Sequence, residues 1–220
     1  MFNVYKTDKM DNKPRIITIE GNIGAGKSTF VETLKEKYKD RNDILFLQEP
    51  VDVWSSISQN GKNMLELFYA EPKRYSFAFQ IMAFTTRLKI IETAVSEAYM
   101  KGIRIIFMER SLDADKNIFA KMLYDDGTME HCMYQIYMQM SEEGLNKYMA
   151  DGIIWLNIPP EICKERILKR GREGEENIDM EYLQKCDSYH KEWLSADTGF
   201  VYEITDKIDW DRLEKYTNIS

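Results

Sequence analysis

Residues 21–28 read Gly-Asn-Ile-Gly-Ala-Gly-Lys-Ser and follow directly on the apolar run Arg15-Ile-Ile-Thr-Ile-Glu20. A short strand running into G-x-x-x-x-G-K-[ST] is the pattern of a phosphate-binding loop. Gly21, Gly24 and Gly26 permit a tight turn whose successive N–H groups, through Asn22, Ile23 and Ala25, point inward at an anion. Lys27 reaches the β and γ phosphates, and the Ser28 hydroxyl can coordinate Mg²⁺. A helix opening at Ser28 and Thr29 adds the positive end of its dipole to the same place. The motif therefore predicts a nucleoside triphosphate site.

Two carboxylates stand directly after apolar strands. Glu49 opens Glu-Pro-Val after Ile44–Gln48, and Glu109-Arg110-Ser111 ends Ile103–Met108. Glu49 can accept a proton from a hydroxyl attacking the γ-phosphate, a task for which a weak base suffices. It can equally be a solvated glutamate before a turn-forming proline. Arg110 can neutralise charge on a transferred phosphoryl group, and Glu109 can hold Mg²⁺ through a water; the alternative is a strand-end ion pair.

Gln80, Ala83 and Arg87 recur at three- and seven-residue spacing, so they share one helix face. A glutamine amide donates and accepts together, which suits a planar nucleobase edge. Ala83 leaves space, and Arg87 can pair with Asp115. Trp54, Tyr69, Phe79 and Phe119 can enclose a ring, although each read singly fits a core position as well. Arg166 and Arg170 lie one helical turn apart, with Arg172 just beyond, next to a Gly/Glu/Arg-rich stretch at 171–177. These three can form a lid that excludes water from a triphosphate, or simply a basic helix end favoured by the macrodipole.

The elements needed to hold these groups are legible from periodicity. Strand-like runs at 15–20, 44–48, 103–108, 153–158 and 200–204 alternate with helical stretches, the longest spanning 77–100 and ending at Gly102. Such alternation predicts an α/β fold, a five-stranded parallel sheet with helices on both faces. Ligands in such sheets sit beyond the carboxyl ends of the strands, where the phosphate loop, Glu49 and Arg110 all fall. Met129–Met149 reads as a core or partner-facing helix. A single domain over 1–220 is expected, with a flexible 1–14 and a lid at about 166–178.

The chain has 220 residues, 44% hydrophobic and 30% charged, with a net charge of −7. The acidic balance argues against a nucleic-acid backbone as partner. Cys132, Cys163 and Cys186 are widely spaced and histidines are only His131 and His190, which argues against zinc. The absence of a signal-like start points to a reducing, cytoplasmic setting. No apolar run approaches membrane-spanning length.

Taken together, the chain resembles the deoxyribonucleoside kinases. The matching segments are Ile19–Phe30, Glu49-Pro-Val51 with Trp54, Tyr69, Ser76-Phe-Ala-Phe-Gln80, Glu109-Arg-Ser111, Asn117-Ile-Phe-Ala120, Asp151-Gly-Ile-Ile154 and Arg170-Gly-Arg172. They occur in the family's order from about residue 15 to residue 195. The resemblance implies a P-loop kinase fold and ATP-dependent phosphorylation of a deoxyribonucleoside 5′-hydroxyl with Mg²⁺, in a homodimer. It casts Glu49 as general base and Arg110 as binder of the 5′-oxygen and the phosphoryl group. It places Tyr69 and a lid glutamate on the 3′-hydroxyl. Gln80 would meet the base between Phe119 and the Trp54 side, and Arg166, Arg170 and Arg172 would form the lid. Residues 205–209 would lie against the donor's adenine.

Here the lid reads Arg172-Glu-Gly-Glu-Glu-Asn177, whereas the family carries two adjacent acids soon after its last lid arginine. Gapless alignment through Glu181-Tyr-Leu183 puts Glu175 in the sugar position; a shift of one residue would choose Glu176. Ala83, Arg87 and Asp115 match the deoxycytidine and deoxyguanosine kinase branch. Asp115 offers an acceptor to an exocyclic amine and Arg87 a donor to guanine O6 and N7. Both favour deoxycytidine or purine deoxynucleosides over thymidine. Two other readings share parts of this pattern: a nucleoside monophosphate kinase, and a catalytically silent member acting as an interaction subunit. A GTPase reading finds neither N-K-x-D nor a D-x-x-G after a strand.

Overall fold

A computed structural model describes residues 13–195 and 200–219. Most of the expected flexible N-terminus lies outside these residues. In chain order the elements are β1 (Arg15–Gly21), α1 (Lys27–Lys37), β2 (Ile44–Leu47), α2 (Val51–Ser56), the short hairpin β3 (Ser58–Gln59) and β4 (Lys62–Asn63), α3 (Met64–Ala70) and α4 (Pro72–Lys101). Then come β5 (Ile105–Glu109), α5 (Leu112–Ala114), a π-helical turn over Asp115–Ala120, α6 (Lys121–Asp125) and α7 (His131–Lys147). The chain closes with β6 (Gly152–Leu156), α8 (Pro160–Arg170), a 3₁₀ turn at Glu175–Asn177, α9 (Met180–Leu194), β7 (Val201–Ile204) and α10 (Trp210–Thr217).

The five-stranded sheet is parallel, ordered β2-β5-β1-β6-β7. All five strands predicted from periodicity are present, shifted by one or two residues at their ends. β5 and β6 are buried along their whole length, as strands covered on both faces must be. Phe30, Val31 and Leu34 of α1 pack on one face with Ile17, Ile19, Phe107 and Ile154. Phe84 and Ile91 of α4 cover the other with Ile16, Met108 and Tyr137. Met129–Met149 contains α7, which buries Tyr137 and Leu145 but leaves Ile136 and Met140 exposed.

Local chemistry sets the element ends that matter for the site. Pro72 starts α4, where its missing N–H costs nothing, and Gly102 in the left-handed conformation stops it. Asn63 and Glu66 form a reciprocal capping box at the start of α3: Glu66 N–H donates to Asn63 Oδ1 at 3.0 Å, and Asn63 N–H to Glu66 Oε2 at 2.7 Å. That box fixes the first turn of the helix carrying Tyr69.

Candidate active site

The phosphate loop leaves the carboxyl end of the central strand. Gly26 caps α1 in the left-handed conformation with no side-chain cap, so the first N–H groups of the helix remain open to an anion. Gly24 (φ 80°) lies against α8 so closely that a Cβ there would sit 2.4 Å from the Cys163 carbonyl oxygen. Lys27 is buried, and its Nζ donates to the carbonyls of Asn22 at 2.9 Å and Gly21 at 3.2 Å. Burial, followed by the charge of Arg110, lowers its pKa to about 8. Asn22 ties the loop to α9 by donating to the Leu183 carbonyl at 2.8 Å.

Glu49 sits just past β2, and its Oε1 accepts from two guanidinium groups. Arg110 Nε and Arg87 Nη2 each lie 2.9 Å away. Burial alone would raise the Glu49 pKa, but Arg110, Arg87 and Lys27 outweigh it and hold the carboxyl down at about 2. Glu49 is thus ionised across the physiological range and able to accept a proton. On its far side Arg87 pairs with the buried Asp115. Burial pushes that carboxyl up to about 6 in spite of the arginine.

Arg110 reaches Glu49 because its backbone is left-handed, φ 63°, a conformation costing a non-glycine residue about 1–3 kcal/mol. Two contacts hold the turn: Arg110 N–H donates to the Ile19 carbonyl at 3.0 Å, and Ser111 N–H donates to Glu20 Oε1 at 2.8 Å. The guanidinium is thereby aimed back across the phosphate loop, with Nη2 3.3 Å from the Gly21 carbonyl.

Gln80, Ala83 and Arg87 are all buried on one face of α4, as their spacing predicted, and line the same cleft. The Gln80 Oε1 is buried with no hydrogen-bond partner among the described residues. A polar atom in that state costs free energy unless something meets it. Trp54 is held edge-on to Phe79, with its Nε1 donating to Thr86 Oγ1 at 2.9 Å. Phe119 lies under the Arg110 guanidinium at 4.6 Å. The π-helical turn carries both Asp115 and Phe119 to the cleft, an irregularity common at functional sites.

The arginines expected to form a lid all line the cleft, with a difference from expectation. Arg166 donates to the Ala25 carbonyl at 2.8 Å. Arg170 and Arg172 instead both pair with Glu175, which is 4% exposed and lines the cleft beside Tyr69. Glu176 is exposed. Arg170, Arg172 and Glu175 thus neutralise one another here. Burial, followed by the Glu175 charge, raises the Tyr69 hydroxyl pKa. Ile23 packs with Tyr69 and Tyr182 against the cluster that contains Ile167.

Ser28 Oγ donates to Glu109 Oε1 at 2.8 Å. A hydroxyl and a buried carboxylate are hard oxygen donors of the kind Mg²⁺ takes, with phosphates and water supplying the remaining ligands. Among the described residues no group of three or more His, Cys, Asp or Glu could hold a metal alone. Residues 205–209 were expected near the donor base; Asp206 and Ile208 are among the residues that line the cleft.

Some lining residues had no signal of their own. Phe68 stacks on Phe79 with centroids 4.6 Å apart, and Tyr182 closes the floor against Tyr69. Phe68 could have been found from its place beside Tyr69 on a short amphipathic helix. Tyr182 becomes visible only once α9 is docked. The whole forms one cleft of about 980 Å³.

A phosphate loop, an ionised carboxylate and an arginine meet at the strand ends in one cleft that Gln80, Ala83 and Arg87 also line, the arrangement of a P-loop phosphotransferase. The deoxynucleoside kinase family model matches residues 17–218, and the chain belongs to that family. It is a deoxynucleoside kinase, transferring a phosphoryl group from a nucleotide donor. It is 35% identical to deoxycytidine kinase 2 of Gallus gallus, over 91% of this chain and 79% of that protein. It is 34% identical to deoxycytidine kinase of Homo sapiens, over 92% and 87% respectively. A mitochondrial deoxyguanosine kinase of Xenopus laevis is 32% identical, over 84% and 75%.

Proposed function

We propose that this kinase phosphorylates the 5′-hydroxyl of deoxycytidine and/or purine deoxynucleosides ahead of thymidine, using ATP and Mg²⁺. The observation that carries the base preference is the buried Arg87–Asp115 pair beside the unpartnered Gln80 carbonyl oxygen. Asp115 accepts from an exocyclic amine and Arg87 donates to a ring or exocyclic acceptor. Thymine has no exocyclic amine and leaves buried polar groups unanswered, which is how such sites reject analogues. The names of the chicken and human relatives point the same way.

In this reading Glu49 takes the proton as the 5′-oxygen attacks the γ-phosphorus; the new O–P bond forms as the bond to the β-phosphate oxygen breaks, releasing ADP. Arg110 and Lys27 neutralise charge on the transferred group. Ser28, and Glu109 through a water, would hold Mg²⁺, which would supply further charge neutralisation. Arg166, Arg170 and Arg172 close over the triphosphate, while Tyr69 and Glu175 meet the 3′-hydroxyl. The base lies between Phe119 and the Trp54–Phe79 side.

The chain acts as one catalytic domain, and we place it in the cytoplasm as a homodimer. Its three cysteines are free, and Tyr99, Met100, Ile136 and Met140 expose apolar surface on α4 and α7. Sedimentation tests the dimer. The base preference is tested by kcat/KM for four deoxynucleosides with ATP and Mg²⁺; thymidine ranking first would overturn it.

A further inference from the structure

Gly174 has a left-handed backbone, φ +90°, and it touches the start of α3. A Cβ added there would lie 3.0 Å from both the backbone N and the Cγ of Glu66, and 3.3 Å from its Cα. Glu66 is not free to give way. It is the third residue of α3, and both halves of the capping box with Asn63 run through it. The next lid residue is Glu175, buried and paired with Arg170 and Arg172. One turn further along α3 is Tyr69. A close approach at Gly174 is therefore one of the contacts that join the two elements carrying the sugar-facing acid and the sugar-facing phenol.

We infer that Gly174 is a positioning residue that determines 3′-hydroxyl recognition: its bare backbone seats the lid on the first turn of α3 and sets Glu175 relative to Tyr69. Any side chain at 174 meets a capped helix end and is too close by a few tenths of an ångström; because the capping box holds Glu66, the lid is the side that gives way. Glu175 would then swing away from the cleft while the phosphate loop and the base pocket stay in place. The inference rests on the sugar role proposed above for Glu175.

The test uses dissociation constants, measured calorimetrically on the full chain, for deoxycytidine and 2′,3′-dideoxycytidine. The parent is expected to prefer the hydroxylated ligand. Gly174→Ala is expected to weaken deoxycytidine about tenfold, the worth of a hydrogen bond to a charged group, while dideoxycytidine is nearly unaffected. Glu175→Gln should collapse the preference in the same way, and the exposed-residue control Glu173→Ala should keep it. Asn63→Ala loosens the same contact from the α3 side with the lid sequence intact; it should lower the preference about threefold, and it decides the matter if Gly174→Ala does not fold. A preference lost in Glu175→Gln but kept in Gly174→Ala and Asn63→Ala overturns the inference and leaves the sugar role standing. A preference kept in Glu175→Gln, or absent from the parent, overturns both.

Discussion

Arg87 donates to Glu49, with 2.9 Å between Nη2 and Oε1. The arginine expected only beside the base also holds the carboxylate proposed to take the proton. In the proposed mechanism base choice and proton transfer would thus share one guanidinium, whose other arm is occupied by Asp115.

Glu49→Gln keeps the shape and removes the base. It should lower kcat by about 10²–10⁴-fold, measured with saturating ATP and deoxycytidine. Full kcat in this variant would take Glu49 out of the proton path.

Arg87→Met should do two things at once. The ranking of deoxynucleosides flattens, and the acid limb of kcat/KM moves to higher pH. The second effect follows because Arg87 is, after Arg110, the next largest influence holding the Glu49 carboxyl down. A changed ranking with an unmoved limb would confine Arg87 to the base.

Asp115 gives a separate pH signature. Its carboxyl protonates at about 6 in the fold, against about 4 in an unfolded chain. Between those values the folded state binds the extra proton, so this group's contribution to stability falls as pH rises from about 4 to about 6. Asp115→Asn should flatten that part of a Tm-versus-pH curve. Affinity for deoxycytidine should weaken below about pH 6 in the parent and lose that dependence in the variant.

Lys27 reports on the donor. It loses its charge at about pH 8 in the free protein, burial being the first cause. kcat/KM for ATP should therefore decline above pH 8, while kcat declines only at higher pH because bound phosphates favour the charged amine. Lys27→Met should reduce kcat/KM for ATP by about 10²-fold or more. An alkaline limb unchanged in that variant would assign it to another group.

The parts of the site legible in the sequence were those encoded by short-range pattern. Gly21–Ser28 announces itself because a tight phosphate turn needs glycines at fixed offsets. The face shared by Gln80, Ala83 and Arg87 follows from helical spacing. What stayed hidden depends on contacts made across the fold. The Arg87–Glu49 bond spans two elements distant in sequence, and the left-handed backbone of Arg110 is dictated by Ile19 and Glu20 on a neighbouring strand. The mutual pairing of Arg170, Arg172 and Glu175 also escaped the sequence, since three residues read for two different ligands were placed in separate roles. The hairpin β3–β4 is too short to carry a period, and the π-helical turn over Asp115–Ala120 looks like ordinary helix in one dimension.

The Gly21 carbonyl receives both Lys27 and Arg110, while Glu175 receives two lid arginines. The site's cations are already seated on partners belonging to the protein itself. Loading a triphosphate is then an exchange of place-holders rather than a first encounter between bare charges. The same exchange runs backwards at the end of the cycle. In the proposed mechanism, once the donor has lost a phosphate the carbonyl and the glutamate would compete for the cations again, which would favour release of the spent nucleotide.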